Sequence, residues 1–246
     1  MISGGLGDIG KAIAEAFARQ GAAIALCDIK DYSAAVEFVA LLTTQCNVKC
    51  RYNKVDVTNN DEIDAWLLEV SSNLGTPSII IPNAATVTVA GVHELTTQQW
   101  AREMEVNLNG AFFLAQKATQ LMVAKKQKGS VVFIGSWAGH AVHRNMSAYC
   151  VSKAGMRMLC KCMALELAPH HILVNEVAPG YVMAGLSGRM FEKDPELTEQ
   201  SIEKVPIKKI MTTTAVAREV LHLCDPGNED ITGSTILVDG GLSLLS

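Results

Sequence analysis

The sequence predicts an α/β fold: a doubly wound parallel sheet of about seven strands with helices on both faces, in a single domain over residues 1–246. Two observations predict it. Short apolar segments alternate with helical patterns along the whole chain, and strands buried on both faces of a parallel sheet read as apolar runs joined by crossover helices. The other is a glycine-rich segment, Ser3 to Gly10, that opens a helix and is followed by a strand closed by an acid. At 246 residues the chain can bury a substantial core within one domain.

The elements follow in order. Only Met1 and Ile2 precede the glycines, which is short for a central strand. Residues 11–19 then read as a helix, with Gly21 as its stop. The apolar run 22–27 is a strand closed by Asp28. Further strands are predicted at 50–55, 78–81, 130–135, 173–178 and 235–238. Helices fall near 8–20, 31–45, 59–74, 97–127, 147–168 and 213–224. Ligands of such sheets bind outside the carboxyl ends of the strands. Gly4, Gly5, Gly10, Asp28, Asp56, Asn83, Ser136, Pro179 and Gly180 all map to that edge.

Composition narrows the function classes. Net charge is −4 with no basic tract, so nucleic acid is not an expected partner. No apolar run approaches the ~20 residues of a membrane span, and no signal-peptide pattern is visible. A cytoplasmic protein is expected. Hydrophobic residues make up 49%, enough to suggest apolar surface buried between subunits. The seven cysteines are odd in number, and Cys160-Lys161-Cys162 lacks zinc-site spacing. Reduced thiols and no metal site are expected.

Two constellations carry chemistry. A glycine-rich turn opening a helix presents backbone N–H groups and a positive dipole end to a pyrophosphate. An acid about 20 positions on can hydrogen-bond a ribose diol, and Asp28 stands 18 residues after Gly10. Tyr149 and Lys153 are four apart and share a helix face, with Ser136 thirteen residues upstream of Tyr149. A nearby ammonium favours the phenolate and lowers a tyrosine pKa from its usual ~10. The pair is a candidate general acid/base, and Ser136 a hydroxyl able to hold a substrate oxygen.

With further motifs in the expected order, the chain resembles the short-chain dehydrogenase/reductase family, in its single-domain branch, from about Ile2 to Gly241. Asp56-Val57 matches the family's adenine contact, and Pro82-Asn83-Ala84-Ala85 its Asn-Asn-Ala-Gly segment. Asn107-Leu108-Asn109-Gly110 resembles the segment with a fourth catalytic residue. Ile134-Gly135-Ser136-Trp137-Ala138-Gly139 resembles the serine strand, and Asn175-Glu176-Val177-Ala178-Pro179-Gly180 the loop over the nicotinamide. Ile231-Thr232-Gly233 and Val238-Asp239-Gly240-Gly241 resemble the C-terminal signature.

The resemblance implies a Rossmann-like fold and an NAD(P)-dependent oxidoreductase that transfers hydride between nicotinamide and a secondary alcohol or ketone. It implies that Ser136 holds the substrate oxygen and that Tyr149 exchanges its proton. Lys153 would lower the Tyr149 pKa and bond the nicotinamide ribose, and Asn107 would position a water linking Lys153 to solvent. Implied cofactor contacts are Gly4, Gly5, Asp8, Ile9, Gly10, Asp28, Asp56, Val57, Asn83, Ala84, Tyr149, Lys153, Pro179, Gly180 and Val182. A carboxylate at Asp28 repels a 2′-phosphate, so NAD is expected over NADP, with Lys30 close enough to blunt the repulsion.

Four residues depart from the family pattern: Asp8 at the middle glycine, Pro82, Ala85, and Ala184 in place of a frequent threonine. Asp8 is expected to turn outward or to cap its helix. Residues 183–211, with Met183, Met190, Phe191 and Met211, are the expected substrate lid. His143 and Arg144 are placed to meet a polar substrate or solvent, and Trp100 is expected in the core or a helix interface. A homotetramer is expected. The helix 147–168 would pair with Phe112, Phe113, Leu114, Leu121 and Met122 of the 97–127 helix across a two-fold axis, and the C-terminal tail would add a second contact. Two other readings stand beside the leading one. A 3-oxoacyl-carrier reductase would dock an acidic carrier on Lys125, Lys126 and Lys128, and a catalytically silent dinucleotide-binding regulator or scaffold would share the fold.

Overall fold

A computed structural model describes residues 1–245, with the backbone alone at positions 186, 189 and 190. The described strands form two parallel half-sheets. One is β3 (Cys50–Lys54), β2 (Ile24–Asp28), β1 (Ile2–Ser3); the other is β4 (Ile79–Ile80), β5 (Gly129–Ile134), β6 (Ile172–Pro179), β7 (Thr235–Val238). They meet where Ile2 pairs with Ile81. The Ile81 N–H donates to the Met1 carbonyl at 2.8 Å, and the Ser3 N–H donates to the Ile81 carbonyl at 3.1 Å. The sheet is thus wound outward in both directions from a seam between β1 and β4. That reversal of strand order opens a crevice at the carboxyl ends.

Both faces are covered, as the apolar strands require. Side chains alternate along a strand, so Val132 and Ile134 join one core while Val131 and Phe133 join the other. The first core is closed by α1 (Asp8–Arg19), α2 (Val36–Gln45) and α9 (Thr213–Leu223), through Ile13, Leu42 and Val220. The second is closed by α3 (Asn60–Leu74), α5 (Gly110–Ala124) and α6 (Ser147–Leu167), through Trp66, Leu114 and Met156.

The structure corrects several expectations. The single helix expected over 97–127 is α4 (Thr97–Met104), a π-helical stretch Glu105–Asn109, and then α5. A wide turn of this kind commonly marks a functional position, and it contains Asn107. The helix expected over 31–45 begins as a 3₁₀ turn, Tyr32–Ala34. Segment 183–211 holds two helices that were not anticipated, α7 (Gly185–Lys193) and α8 (Pro195–Lys204). The signal for α8 was present: the Asp194 carboxylate accepts from the Leu197 N–H at 2.9 Å, with Pro195 at the first helical position.

Trp100 is 38% exposed rather than core. Leu114 and Met122 are fully buried and cannot form an outer contact. All seven cysteines are free. Among the described residues no helix is long and apolar enough to cross a membrane.

The glycine turn before α1 has no spare volume. A Cβ on Gly10 would overlap the Gly4 carbonyl oxygen and stand 3.0 Å from the Gly5 Cα, both of them backbone atoms that cannot rotate away. Gly10→Ala should therefore destabilise the fold by about 1–3 kcal/mol, read as a lower urea midpoint with an unchanged slope.

Candidate active site

The site is built at the carboxyl ends of the strands, on both sides of the seam. Gly4 follows β1 with φ +59, and a Cβ there would stand 2.8 Å from the Ala84 Cα. Only glycine lets the turn approach so closely. The Ser3 hydroxyl accepts from the N–H groups of Asn83 at 3.0 Å and Ala84 at 3.1 Å. The Asn83 amide in return donates to the carbonyls of Ser3 and Gly4, each at 3.0 Å. Asn83 therefore fastens the end of β4 to the glycine turn. No side chain caps α1 among the described residues, so its first N–H groups face the crevice. Gly4, Gly5, Ile9 and Gly10 form this cradle.

Asp8 opens α1 and is exposed, in line with an outward turn, and it does not cap its own helix. Its carboxylate accepts from the Gly185 N–H at 2.7 Å, reaching across to the start of α7. At the far side of the cradle Asp28 ends β2 and accepts from the Leu6 N–H at 3.2 Å. Lys30 is exposed, and its carbonyl accepts from the Tyr52 hydroxyl. Asp56 accepts from the Thr58 N–H at 3.0 Å and hydroxyl at 2.8 Å, with Arg102 at 3.6 Å. Burial pushes its carboxyl up, but these donors and the Arg102 charge outweigh that and hold it below its ordinary value. Val57 is buried against Gly110. Gly180 packs on Asp239 and follows Pro179 at the end of β6. The Val182 side chain packs in the first core.

Ser136, Tyr149 and Lys153 come together. Ser136 follows β5 and caps the short turn Trp137–Gly139, accepting from the Ala138 N–H at 3.1 Å. A Cβ on Gly139 would stand 3.0 Å from the Lys153 carbonyl carbon, so this glycine lets the turn pack flat on α6. Tyr149 lies in the first turn of α6 with its phenol against the Ser136 hydroxyl. Lys153, one turn on, is 2% exposed. Its ammonium donates to the Ile134 carbonyl at 2.8 Å and stands 5.7 Å from the Tyr149 ring centre.

The expected lowering of the Tyr149 pKa by Lys153 does not dominate. Burial pushes the phenol up to about 12; the Ser136 contact pulls it down, while Glu103 and Cys150 push it further up. Burial also lowers Lys153 to about 8, opposed by Glu176. Both groups lose water, so both charged forms are penalised.

Asn107 is fully buried, and its side chain is wholly engaged. Its carbonyl accepts from the Thr86 N–H at 2.8 Å, and its amide donates to the Thr86 carbonyl at 2.9 Å and the Ser152 hydroxyl at 3.1 Å. Ser152 in turn donates to the Tyr149 carbonyl at 2.8 Å. The Asn107 amide thus pins α6 and the loop after β4.

An aromatic ladder leads from the serine turn to α7. Trp137 meets His143 at 4.1 Å and Tyr181 at 5.4 Å, and Tyr181 meets Phe191 at 6.0 Å, all edge to face. His143 is therefore a packing partner of Trp137, and Arg144 is exposed. Met211 and Ala184 pack on the core and Met183 is partly exposed; the Met190 side chain lies outside the described residues.

Sequence reasoning missed two buried acids. Glu103 is fully buried, accepts from the Thr88 N–H at 2.6 Å, and lies one helical turn before Asn107. Glu176 is fully buried on β6. For Glu176 the available signal was a charge inside a mainly apolar strand; Glu103, among Arg102 and Glu105, carried no such signal.

Comparison with known proteins follows this geometry. A family model described as enoyl-(acyl carrier protein) reductase matches residues 6–243. The chain is 32% identical to 2-(S)-hydroxypropyl-CoM dehydrogenase 3 of Xanthobacter autotrophicus, over 99% of this chain and 96% of that one. It superposes on a short-chain type dehydrogenase/reductase from Mycobacterium marinum with TM-score 0.91 and 30% identity, covering 98% of this chain and 93% of the other. It also superposes on an NAD⁺-bound xylitol dehydrogenase with TM-score 0.91 and 28% identity, covering 98% and 96%.

The Asp8–Gly185 bond ties the glycine turn to α7. Asp8→Ala should leave the fold intact but release this tie. Amide hydrogen exchange over residues 185–193 should rise several-fold while exchange in β5 and β6 stays unchanged.

Proposed function

Because the chain belongs to the short-chain dehydrogenase/reductase family, we propose that it is an NAD-preferring oxidoreductase that interconverts a secondary alcohol and its ketone. The observation that carries this reading is the convergence of Ser136, Tyr149 and Lys153 at the strand ends. The hydroxypropyl group named for the Xanthobacter relative is itself a secondary alcohol.

The crevice suits a nicotinamide dinucleotide. The uncapped start of α1 would hold the pyrophosphate. Asp28 would hold the adenosine ribose and disfavour a 2′-phosphate. Asp56, Val57 and Ala84 would border the adenine side; Pro179, Gly180 and Lys153 would border the nicotinamide side. When bound, the cofactor supplies the hydride chemistry.

The side chains supply orientation and proton management. Ser136 holds the substrate oxygen. Tyr149 takes the hydroxyl proton in oxidation and returns it in reduction. The phenol must ionise against its burial, so a charged Lys153 is the condition for Tyr149 to act as a base near neutral pH. Asn107 keeps α6 in place through Ser152. Residues 183–211 close over the substrate as a lid, supported by the Trp137–Tyr181–Phe191 ladder.

The carrier-reductase reading has less support. Lys128 is paired with Glu229 at 3.5 Å on the surface, and Asp28 disfavours a phosphorylated cofactor. A silent scaffold would have no use for the Ser136–Tyr149–Lys153 cluster. The free cysteines support a reducing, cytoplasmic setting.

A homotetramer is supported by apolar residues left outside. Val151, Met158 and Leu165 are 48%, 60% and 81% exposed along one stripe of α6. Leu237 on β7, with Leu244 and Leu245 beyond it, offers a second patch.

Three measurements test this reading. Tyr149→Phe should lose about 10²–10⁴-fold in turnover while NADH binding, followed by fluorescence, is retained; near wild-type turnover would overturn the assignment. Asp28→Ala should narrow the ratio of NADP to NAD dissociation constants, mainly by tightening NADP. Light scattering should give a multiple of the 26.4 kDa chain mass, and a clean monomer at micromolar concentration overturns the oligomer.

A further inference from the structure

Glu176 is the least expected residue in the second core. It is fully buried on the interior strand β6, cross-strand from Phe133 on β5 and from Thr235 on β7. Its side chain enters the layer occupied by Val131, Phe133, Val174, Met156 and Cys160. A carboxylate in such surroundings costs several kcal/mol unless it is paired. An alanine would fill the strand without that cost.

The carboxylate is held in place from two sides. Oε2 accepts from the Thr235 hydroxyl at 2.7 Å. Oε1 has no hydrogen-bond partner among the described residues, and it occupies the space where a side chain at position 135 would start. A Cβ on Gly135 would overlap Oε1 and stand 2.7 Å from the carboxyl carbon. The residue before Gly135 is Ile134, whose carbonyl accepts from the Lys153 ammonium. The missing side chain at Gly135 is therefore what lets a carboxylate lie beside the lysine's seat.

The groups that face Glu176 come mainly from α6. Lys153, Arg157 and Lys161 follow at i, i+4 and i+8, and the Cys160 thiol also feels the carboxylate. From β7 comes the Thr235 hydroxyl; Phe133 of β5 and Gly135 just after it bring no charge. Burial pushes the Glu176 carboxyl up; the Thr235 hydrogen bond and the three cations oppose this without overcoming it, so the carboxyl stays above its ordinary value. For Lys153 the sole opposition to burial is Glu176.

We propose that Glu176 is a positioning residue for Lys153: its carboxylate, locked under α6 between β5 and β7, keeps that lysine in the ammonium form that Tyr149 requires. This rests on the Lys153 role proposed above. The charge of Lys153 is thus supported by a fully buried group on β6 that has no opening to solvent.

The test separates charge from packing. Glu176→Gln removes the charge and keeps the shape. Gly135→Ala combined with Glu176→Ala refills the space without a charge, which keeps the question answerable if the Gln variant folds poorly. The Lys153 ammonium is titrated in each protein by ¹⁵N NMR of labelled lysine, assigned with Lys153→Arg. An opposite charge within a few ångströms moves a pKa by about 1–3 units. Removing the negative charge lowers the lysine pKa, so the Lys153 midpoint should fall by about 1 unit or more in both variants, and the alkaline limb of the kcat/KM profile should move to lower pH with it. An unchanged midpoint in either folded variant overturns the proposal. So does a shift in Glu176→Gln that the double variant restores, because packing would then be the cause. A midpoint that falls in wild-type-like folds with no alcohol turnover in any of them leaves the Glu176–Lys153 coupling standing and overturns the oxidoreductase reading instead.

Discussion

Two residues of β1 hold the halves of the sheet together. Ile2 and Ser3 lie between Leu26 and Cys27 on one side and Ile81 on the other. Everything in the crevice depends on that seam. Ser3 is the hinge pin: its backbone pairs with Ile81, its hydroxyl receives two N–H groups from the end of β4, and its carbonyl receives the Asn83 amide. The glycine turn and the loop after β4 are thereby fixed to each other before any ligand is considered.

A second set of constraints fixes α6. Asn107 in the π-helical stretch, through Ser152, and the Ile134 carbonyl, through Lys153, hold the helix at two points beside Tyr149. Burial has an electrostatic consequence: Tyr149, Lys153, Glu103 and Glu176 all have their charged forms disfavoured by it. Their charges must then support one another, and a carboxylate behind the lysine is one way to do so.

Sequence reading recovered the strands to within one or two residues, because buried parallel strands and crossover helices leave strong local signatures. It also found Ser136, Tyr149 and Lys153, whose spacing on one helix and one strand end is visible in one dimension. Asn107 was found as a residue, but its structural partners were not. Its partners, Thr86 and Ser152, are 21 and 45 positions away, and no spacing rule connects them. The single helix read over 97–127 failed for a related reason: local propensity is helical throughout, and only the tertiary pull on Asn107 singles out the π-helical turn. Met122 and Leu114 were read as outer contacts because an apolar residue on a helix does not announce which side faces the sheet.

The sequence by itself determined the order of strands and helices, the glycine turn, and the identity of the three groups that meet at the strand ends. These are local properties, set by side-chain periodicity and by backbone conformations only glycine allows. Tertiary structure alone decided where Asp8 reaches, what Asn107 holds, and that Glu176 lies behind Lys153. Each of those contacts joins elements far apart in the chain, and a hydrogen bond or a buried charge is defined by the partner that the fold brings to it.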